Sequence, residues 1–454
     1  MFRRLLLLSF AVLAGVSQAR AEVLPSDMIV IEDTDGSINK AQSVLPDFYL
    51  QKAACAAYKK HPDNYDVMFV FTTIPQGIFT GTPAAATVQQ TQKGIGKPLV
   101  NSSFGYCSTR LKHAVRMGDI AKLPDDPENP YTAVADKAVT GVQVMAHEFG
   151  HHWMSYVAYD KGDGTGKHCR LRAFVGNAES GSGDCDGYPP SAFGVHWSAY
   201  FNSNSVMYGN QIKDNNDGTF TLGNDGKLKF GPLDQYPLGL RYPEEVGPLF
   251  LLDLGGVTAG ESSAYPLQIG TTKTVKAERI DVAVEDVVRA EGDRIPAIDP
   301  CHWKGAVVLV FATGKPPTAN VIFKLTDYAN SFEKFYEWAT DGRGSADMTA
   351  DGRGKGTSGC PSGDEQPPEA DEIVEEVMLA EFQDAAAEEP LTAEKDYEEI
   401  SQIADVKDVY SPDDAAETGT QAGGGCGVGV RTESAWLLII VLAAVLRKAR
   451  QRIV

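Results

Sequence analysis

The chain has 454 residues, with 41 lysines and arginines against 61 aspartates and glutamates and a formal charge of −20. That length suffices for a sizeable core and more than one domain, and the acidic balance excludes a chain-wide basic surface of the kind that binds nucleic acid. Most of the excess is local: residues 361–420 hold 20 acidic side chains against Lys395 and Lys407, so the remainder is close to neutral and its charge says nothing about a substrate.

The first residues combine Arg3 and Arg4, an apolar run from Leu5 to Ala14, and the exit Ala19-Arg20-Ala21. This reads as a secretory signal peptide over residues 1–21, cut after Ala21, with an apolar run too short to span a bilayer. Residues 22–135 alternate extended apolar runs with turn-rich stretches. Strands are predicted at Met28–Ile31 and Val67–Ile74, a helix at Leu45–Tyr58, and a loop at Pro124–Pro130, where three prolines interrupt any regular element.

Thr140–Trp153 then carries His147-Glu148-Phe149-Gly150-His151. On a helix, residues four apart stand one turn above each other, so His147 and His151 can aim two imidazoles at one metal ion. Glu148 is rotated about 100° from His147, near the ion but not forced to bind it. Two nitrogen ligands with an adjacent carboxylate base is what a zinc hydrolase requires. Val142, Val144, Met145, Phe149, Trp153 and Met154 supply a buried helix with apolar surface, and the helix is predicted to continue through Tyr159, with Gly162 as its cap. His152 points off the metal face, toward the core or behind the ligands. His61, His113, His168 and His302 have no partner at ligand spacing and are read as structural or solvent-facing.

A catalytic site needs a third protein ligand, and two residues can supply it. Glu179 lies among Gly176, Gly181 and Gly183, which favours a loop over a rigid helix. His196, in Val195-His-Trp197 and followed eleven positions later by Met207, is the other, and it is favoured by the family resemblance given below. Beyond it, Asp-Gly pairs at 217–218 and 225–226 signal turns between short strands, without the spacing of an EF-hand. Asp234 reads as a buried acceptor. Val282–Glu291 and Ile322–Thr340 have helical spacing, Ala306–Phe311 reads as a buried strand, and this half is expected to pack on the region before it.

Six cysteines remain once Cys426 is set apart, none in a CxxC pair, so three disulfides are expected in an oxidising compartment. Proximity favours Cys169–Cys185, then Cys55–Cys107 and Cys301–Cys360. Residues 346–422 form an acidic, self-repelling stalk. Residues 423–454 hold Gly423-Gly-Gly-Cys426, an apolar run of a dozen residues and a closing cluster of arginines and Lys448.

The HExxH helix, an insertion, His196-Trp197 and Met207 together resemble leishmanolysin, a metzincin-type zinc metallopeptidase. The likeness covers roughly residues 135–210. It implies an α+β fold: a zincin-like catalytic region over 22–345, with a small N-terminal mixed sheet (22–135), an active-site helix and a C-terminal α/β extension (136–345). It also implies zinc on His147, His151 and His196, with Glu148 as general base and Met207 in a turn beneath the ion. The compact pattern would place its third His where Val157 stands, and Met154 replaces the glycine at which metzincin chains turn. The tail resembles the sorting tails of myxobacterial surface proteins, which implies a membrane sorting protease acting near Cys426 and a lipidated end; an uncut C-terminal anchor is the alternative. The expected protein is thus a secreted zinc endopeptidase held at the outer membrane or cell surface, acting on proteins or peptides. The rival readings are a surface adhesin that keeps fold and zinc but cleaves nothing, and a hydrolase of some other bond.

Overall fold

In the computed structural model, the central strands of the main sheet are β2 (Val67–Thr72) and β12 (His302–Ala312), which pair in parallel from Gly305↔Val67 to Val310↔Thr72. Residues 28–348 are described, apart from 42–45, 76–82, 133–136, 175–192, 256–265 and 299–300. The chain divides into Met1–Gly363 and Asp364–Val454, and every described residue belongs to the first unit. Ala21, Glu179, Cys185, Cys360, Cys426, residues 349–422 and the tail lie outside the described residues. Residues 346–348, expected to open the stalk, belong instead to the fold: Ala346 and Asp347 lie in the strand Ser345–Asp347, and Asp347 and Met348 are buried.

The chain runs through β1 (Ile29–Asp33), α1 (Ser37–Ala41), α2 (Pro46–Tyr58), β2, β3 (Ala84–Thr87) and β4 (His113–Asp119) to the metal-motif helix α3 (Gly141–Gly150). β5 (Arg172–Phe174), β6 (Phe193–Trp197), β7 (Gln211–Asp214), β8 (Thr219–Gly223) and α4 (Pro232–Leu238) follow. The last part holds β9 (Leu249–Asp253), β10 (Thr272–Lys276), β11 (Glu278–Val282), α5 (Val284–Glu291), β12, α6 (Ala319–Ala339) and β13 (Ser345–Asp347). The main sheet has the order β1-β12-β2-β4-β3, with β13 beside β12; all its pairs are parallel except β3 on β4. Smaller sheets are β7-β8-β10, β9-β11 and β5-β6.

Every residue of β2 is buried, as expected of a parallel strand covered on both faces. Val67, Phe69 and Phe71 face one core with Val307 and Leu309, and Met68 and Val70 face the other with Ala306, Val308 and Val310. α2 covers the second face through Tyr49, Leu50, Ala53 and Ala57. α3 and α6 cover the first. In α6 the buried Ile322, Leu325, Tyr328, Phe332, Phe335 and Tyr336 recur at helical spacing, and Phe149 of α3 packs edge-on to Phe332 and Tyr336 at 5.7 and 5.3 Å. The fold is mixed α/β with a mixed sheet, and its sheet is not built from the N-terminal residues alone. β12, from the far end of the described chain, occupies its middle, so the C-terminal half completes the sheet as well as packing on it.

The predicted strands and helices before and after α3 are present within a few residues of their expected bounds, and the Cys55–Cys107 disulfide is formed. Cys169 and Cys301 are also disulfide-bonded, while their expected partners lie outside the described residues. The expected length of the motif helix also fails: α3 does not continue to Tyr159. It ends at Gly150, and the chain turns through residues 151–155 with Ser155 in the left-handed region at φ 66°. The residue that takes the left-handed conformation is Ser155, one after Met154. Apolar residues at 153, 154 and 157 look helical in one dimension, yet they pack in the core from an irregular turn.

Candidate metal centre

α3 starts at a capping box. Gln143 N donates to Thr140 Oγ1 at 3.3 Å and Thr140 N to Gln143 Oε1 at 2.9 Å, an arrangement that stabilises a helix start by about 1 kcal/mol. Gln143 Nε2 also donates to the carbonyls of Gly226 and Leu228, tying the helix start to that segment. One turn and a half later the helix presents His147, and its C-cap residue is His151.

His147, His151 and His196 meet, with one potential ligand atom from each within 4.8 Å of the others. His147 Nδ1 donates to the Val206 carbonyl at 2.7 Å, which leaves the Nε2 lone pair of the neutral ring facing the cluster. His151 Nε2 lies 3.1 Å from His147 Nε2. Two nitrogens each 2.0–2.1 Å from a tetrahedral ion are about 3.3 Å apart, so this spacing fits a shared ion with little movement. His196 comes from β6, its ring centroid 4.9 and 5.1 Å from those of His147 and His151. Burial lowers the pKa of His147 to about 4 against the opposing bond to Val206. Burial, helped by the neighbouring imidazoles, holds His151 and His196 well below the ordinary range. All three rings are neutral near pH 7 with lone pairs available, so the residues fit a metal ion.

The strand bearing His196 and the turn bearing Met207 are fastened together. Trp197 N donates to the Met207 carbonyl at 2.9 Å, and Trp197 Nε1 to Asp234 Oδ1 at 2.7 Å. Asp234 Oδ2 accepts from Gly231 N at 2.7 Å, so the expected buried acceptor is present. Burial pushes its carboxyl up to about 6, while donors from Ser205, Trp197 and Gly231 pull against the rise. Met207 is fully buried beneath α3 against Gly150. Tyr208, in the left-handed region at φ 76°, stacks on His147 at 4.1 Å and tilts against His196 at 4.5 Å.

Glu148 is buried and burial pushes its carboxyl up to about 8, with the Arg116 guanidinium opposing. Tyr131 and Tyr156 stand within its electrostatic reach. The geometry thus brings together His147, His151 and His196 above Met207, with Glu148 beside His147 on the same helix. Glu179 lies outside the described residues.

Several neighbours of the site carry no local sequence signal. His113 is not solitary: from β4 its Nε2 donates to the Glu148 carbonyl at 2.8 Å. His152 is in the core, edge-on to Trp153 and His113, with no hydrogen-bond partner on either ring nitrogen among the described residues. Lys97, half-buried with its pKa lowered by burial to about 7, donates to the carbonyls of His151 and His152 at 2.8 and 3.0 Å. Only the Gly94-Ile-Gly-Lys97 loop hints at it: a Cβ at Gly96, where φ is 69°, would collide with the Tyr156 backbone, so glycine is what lets this loop approach the turn after α3. Comparison of the chain with protein-family models, curated proteins and solved structures gives no match.

Proposed function

We propose that the chain is a zinc-dependent endopeptidase, exported and tethered at the cell surface, as its likeness to leishmanolysin and its two termini suggest. The observation that carries the reading is the convergence of three neutral imidazoles beside a buried glutamate on one helix. A site with three nitrogen donors and an adjacent base suits zinc hydrolysis, whereas a purely structural site has no use for the base. Zinc, when bound there, supplies Lewis acidity toward a water and a carbonyl oxygen.

The remaining work belongs to the chain. His147, His151 and His196 hold the ion, with His147 locked by Val206. Beside a dication held by the three histidines, the Glu148 carboxyl would fall back below the value that burial alone gives it. The carboxylate accepts a proton from the attacking water as the water oxygen bonds to the peptide carbonyl carbon. It then gives that proton to the amide nitrogen as the C–N bond breaks, so nothing is oxidised or reduced. Burial excludes bulk water from Glu148.

The test is to incubate the full-length chain with a peptide library, with and without a chelator, beside Glu148→Gln. Chelator-sensitive cleavage is expected from the native chain. Glu148→Gln should keep its metal and lose turnover by about 10²–10⁴-fold, because an amide cannot take the proton. A native chain inert on every peptide and protein substrate refutes the peptidase reading and leaves a zinc-holding adhesin in its place.

A further inference from the structure

The second histidine of the motif is the one that the helix supports least. The last carbonyls of an α-helix have no partner within it, and His151 is the C-cap of α3, beyond its final regular residue. His152 N bonds the Phe149 carbonyl at 3.3 Å in a tighter turn, and the Glu148 carbonyl goes instead to His113 Nε2. What fixes the backbone of His151 on its far side comes from elsewhere in the chain. Its carbonyl accepts from Lys97 Nζ at 2.8 Å and from the Tyr156 hydroxyl at 2.9 Å, and the His152 carbonyl accepts from the same ammonium at 3.0 Å. That ammonium also donates to Thr87 Oγ1 on edge strand β3 at 2.5 Å and lies 4.5 Å over the Tyr156 ring. A cation at a helix C-terminus is favoured by the dipole and by the orphan carbonyls, and here one cation spans the helix end, the turn after it and the sheet edge.

We propose that Lys97 is a positioning residue of the three-histidine centre: by tying the His151 and His152 carbonyls to Thr87 of β3, it holds the His151 imidazole where His147 and His196 meet it. The inference rests on the metal reading above and extends it to a residue far from the motif in sequence. Two effects of opposite sign decide its test. A positive charge near a dication weakens metal binding, so removing it should tighten binding if charge were all that mattered. Removing the cap frees the ligand's backbone, and loss of a partner behind a metal ligand typically weakens affinity about 10–100-fold.

The experiment uses the full-length chain and measures zinc affinity by competition with a chromophoric chelator, together with the visible spectrum of the cobalt(II)-loaded protein. Lys97→Met, close in shape but without donor or charge, should bind zinc about 10–100-fold more weakly and show an altered cobalt spectrum. Lys97→Arg should recover most of the affinity, and Thr87→Val should shift both readouts in the same direction by less. Equal or tighter zinc binding by Lys97→Met overturns the proposal. If that variant does not fold, Thr87→Val decides, and an unchanged affinity and spectrum there overturn it. A native chain that fails to bind zinc overturns the metal reading and this proposal together, whereas a native chain that binds zinc as Lys97→Met does overturns this proposal alone.

Discussion

Met207 reaches the underside of the metal-motif helix because Gly150 has no side chain: a Cβ at Gly150 would lie 2.5 Å from Met207 Sδ and 3.1 Å from Met154 Sδ. A methyl group there would force the Met207 side chain to shift, so the space at the glycine inside His147–His151 is taken by a residue 57 positions away. Gly150→Ala should cost about 1–3 kcal/mol through overpacking, less the small gain in helix propensity. Met207→Ala should relieve part of that cost, so the double variant should be more stable than the sum of the singles predicts. Additive effects in chemical denaturation would show that the two side chains do not compete for the same space.

Metal content follows from the ligand set. One zinc per chain is expected in the purified native protein. His147→Ala, His151→Ala and His196→Ala should each lose most of it, while Glu179→Ala should retain it. Elemental analysis after dialysis decides the matter: metal lost from Glu179→Ala and kept by His196→Ala would reassign the third ligand.

Asp234 sets a pH dependence of stability. Its folded pKa, about 6, lies above the ordinary aspartate value of 3.8 because burial disfavours the charge. A raised folded pKa means that the folded chain binds the proton more tightly than the unfolded one. The contribution is fully present below about pH 4 and is lost as pH rises through about 6. The shift corresponds to a loss of about 3 kcal/mol over that window. Asp234→Asn cannot titrate, so the native chain should lose stability relative to the variant between pH 4 and 7. Parallel curves for the two proteins would contradict the assignment.

The tail makes a separate prediction from sequence. A Gly-Cys motif, a dozen apolar residues and a basic cluster should yield a mature protein cut near Cys426 and modified there. One acyl chain binds membrane only marginally, so stable attachment requires a second anchor. Cys426→Ser should accumulate uncut and mislocalised. Intact mass of the membrane fraction tests this, and a mature form that ends at Val454 would leave a simple C-terminal anchor.

Two candidate metal ligands were legible because helical periodicity is local: His147 and His151 share a face whatever the rest of the chain does, and Glu148 follows from the same geometry. The central strands were equally legible, since a short run of five apolar residues such as Val67–Phe71, rich in β-branched and aromatic side chains, reads as a buried strand. His196 was reachable only by likeness to a known family, because no local pattern links it to a helix 45 residues earlier. The end of α3, the place of β12 between β1 and β2, and the roles of Lys97, His113 and Tyr156 were not legible at all. Each depends on which distant group takes a particular carbonyl or fills a particular gap. Such choices are settled by competition for hydrogen bonds and volume in the packed core, after residues far apart in sequence have been brought together. The sequence alone placed the His-Glu-x-x-His pattern on one helix, because its spacing is local; the tertiary structure decided where that helix stops and which side chains hold its end, because those depend on contacts between distant residues.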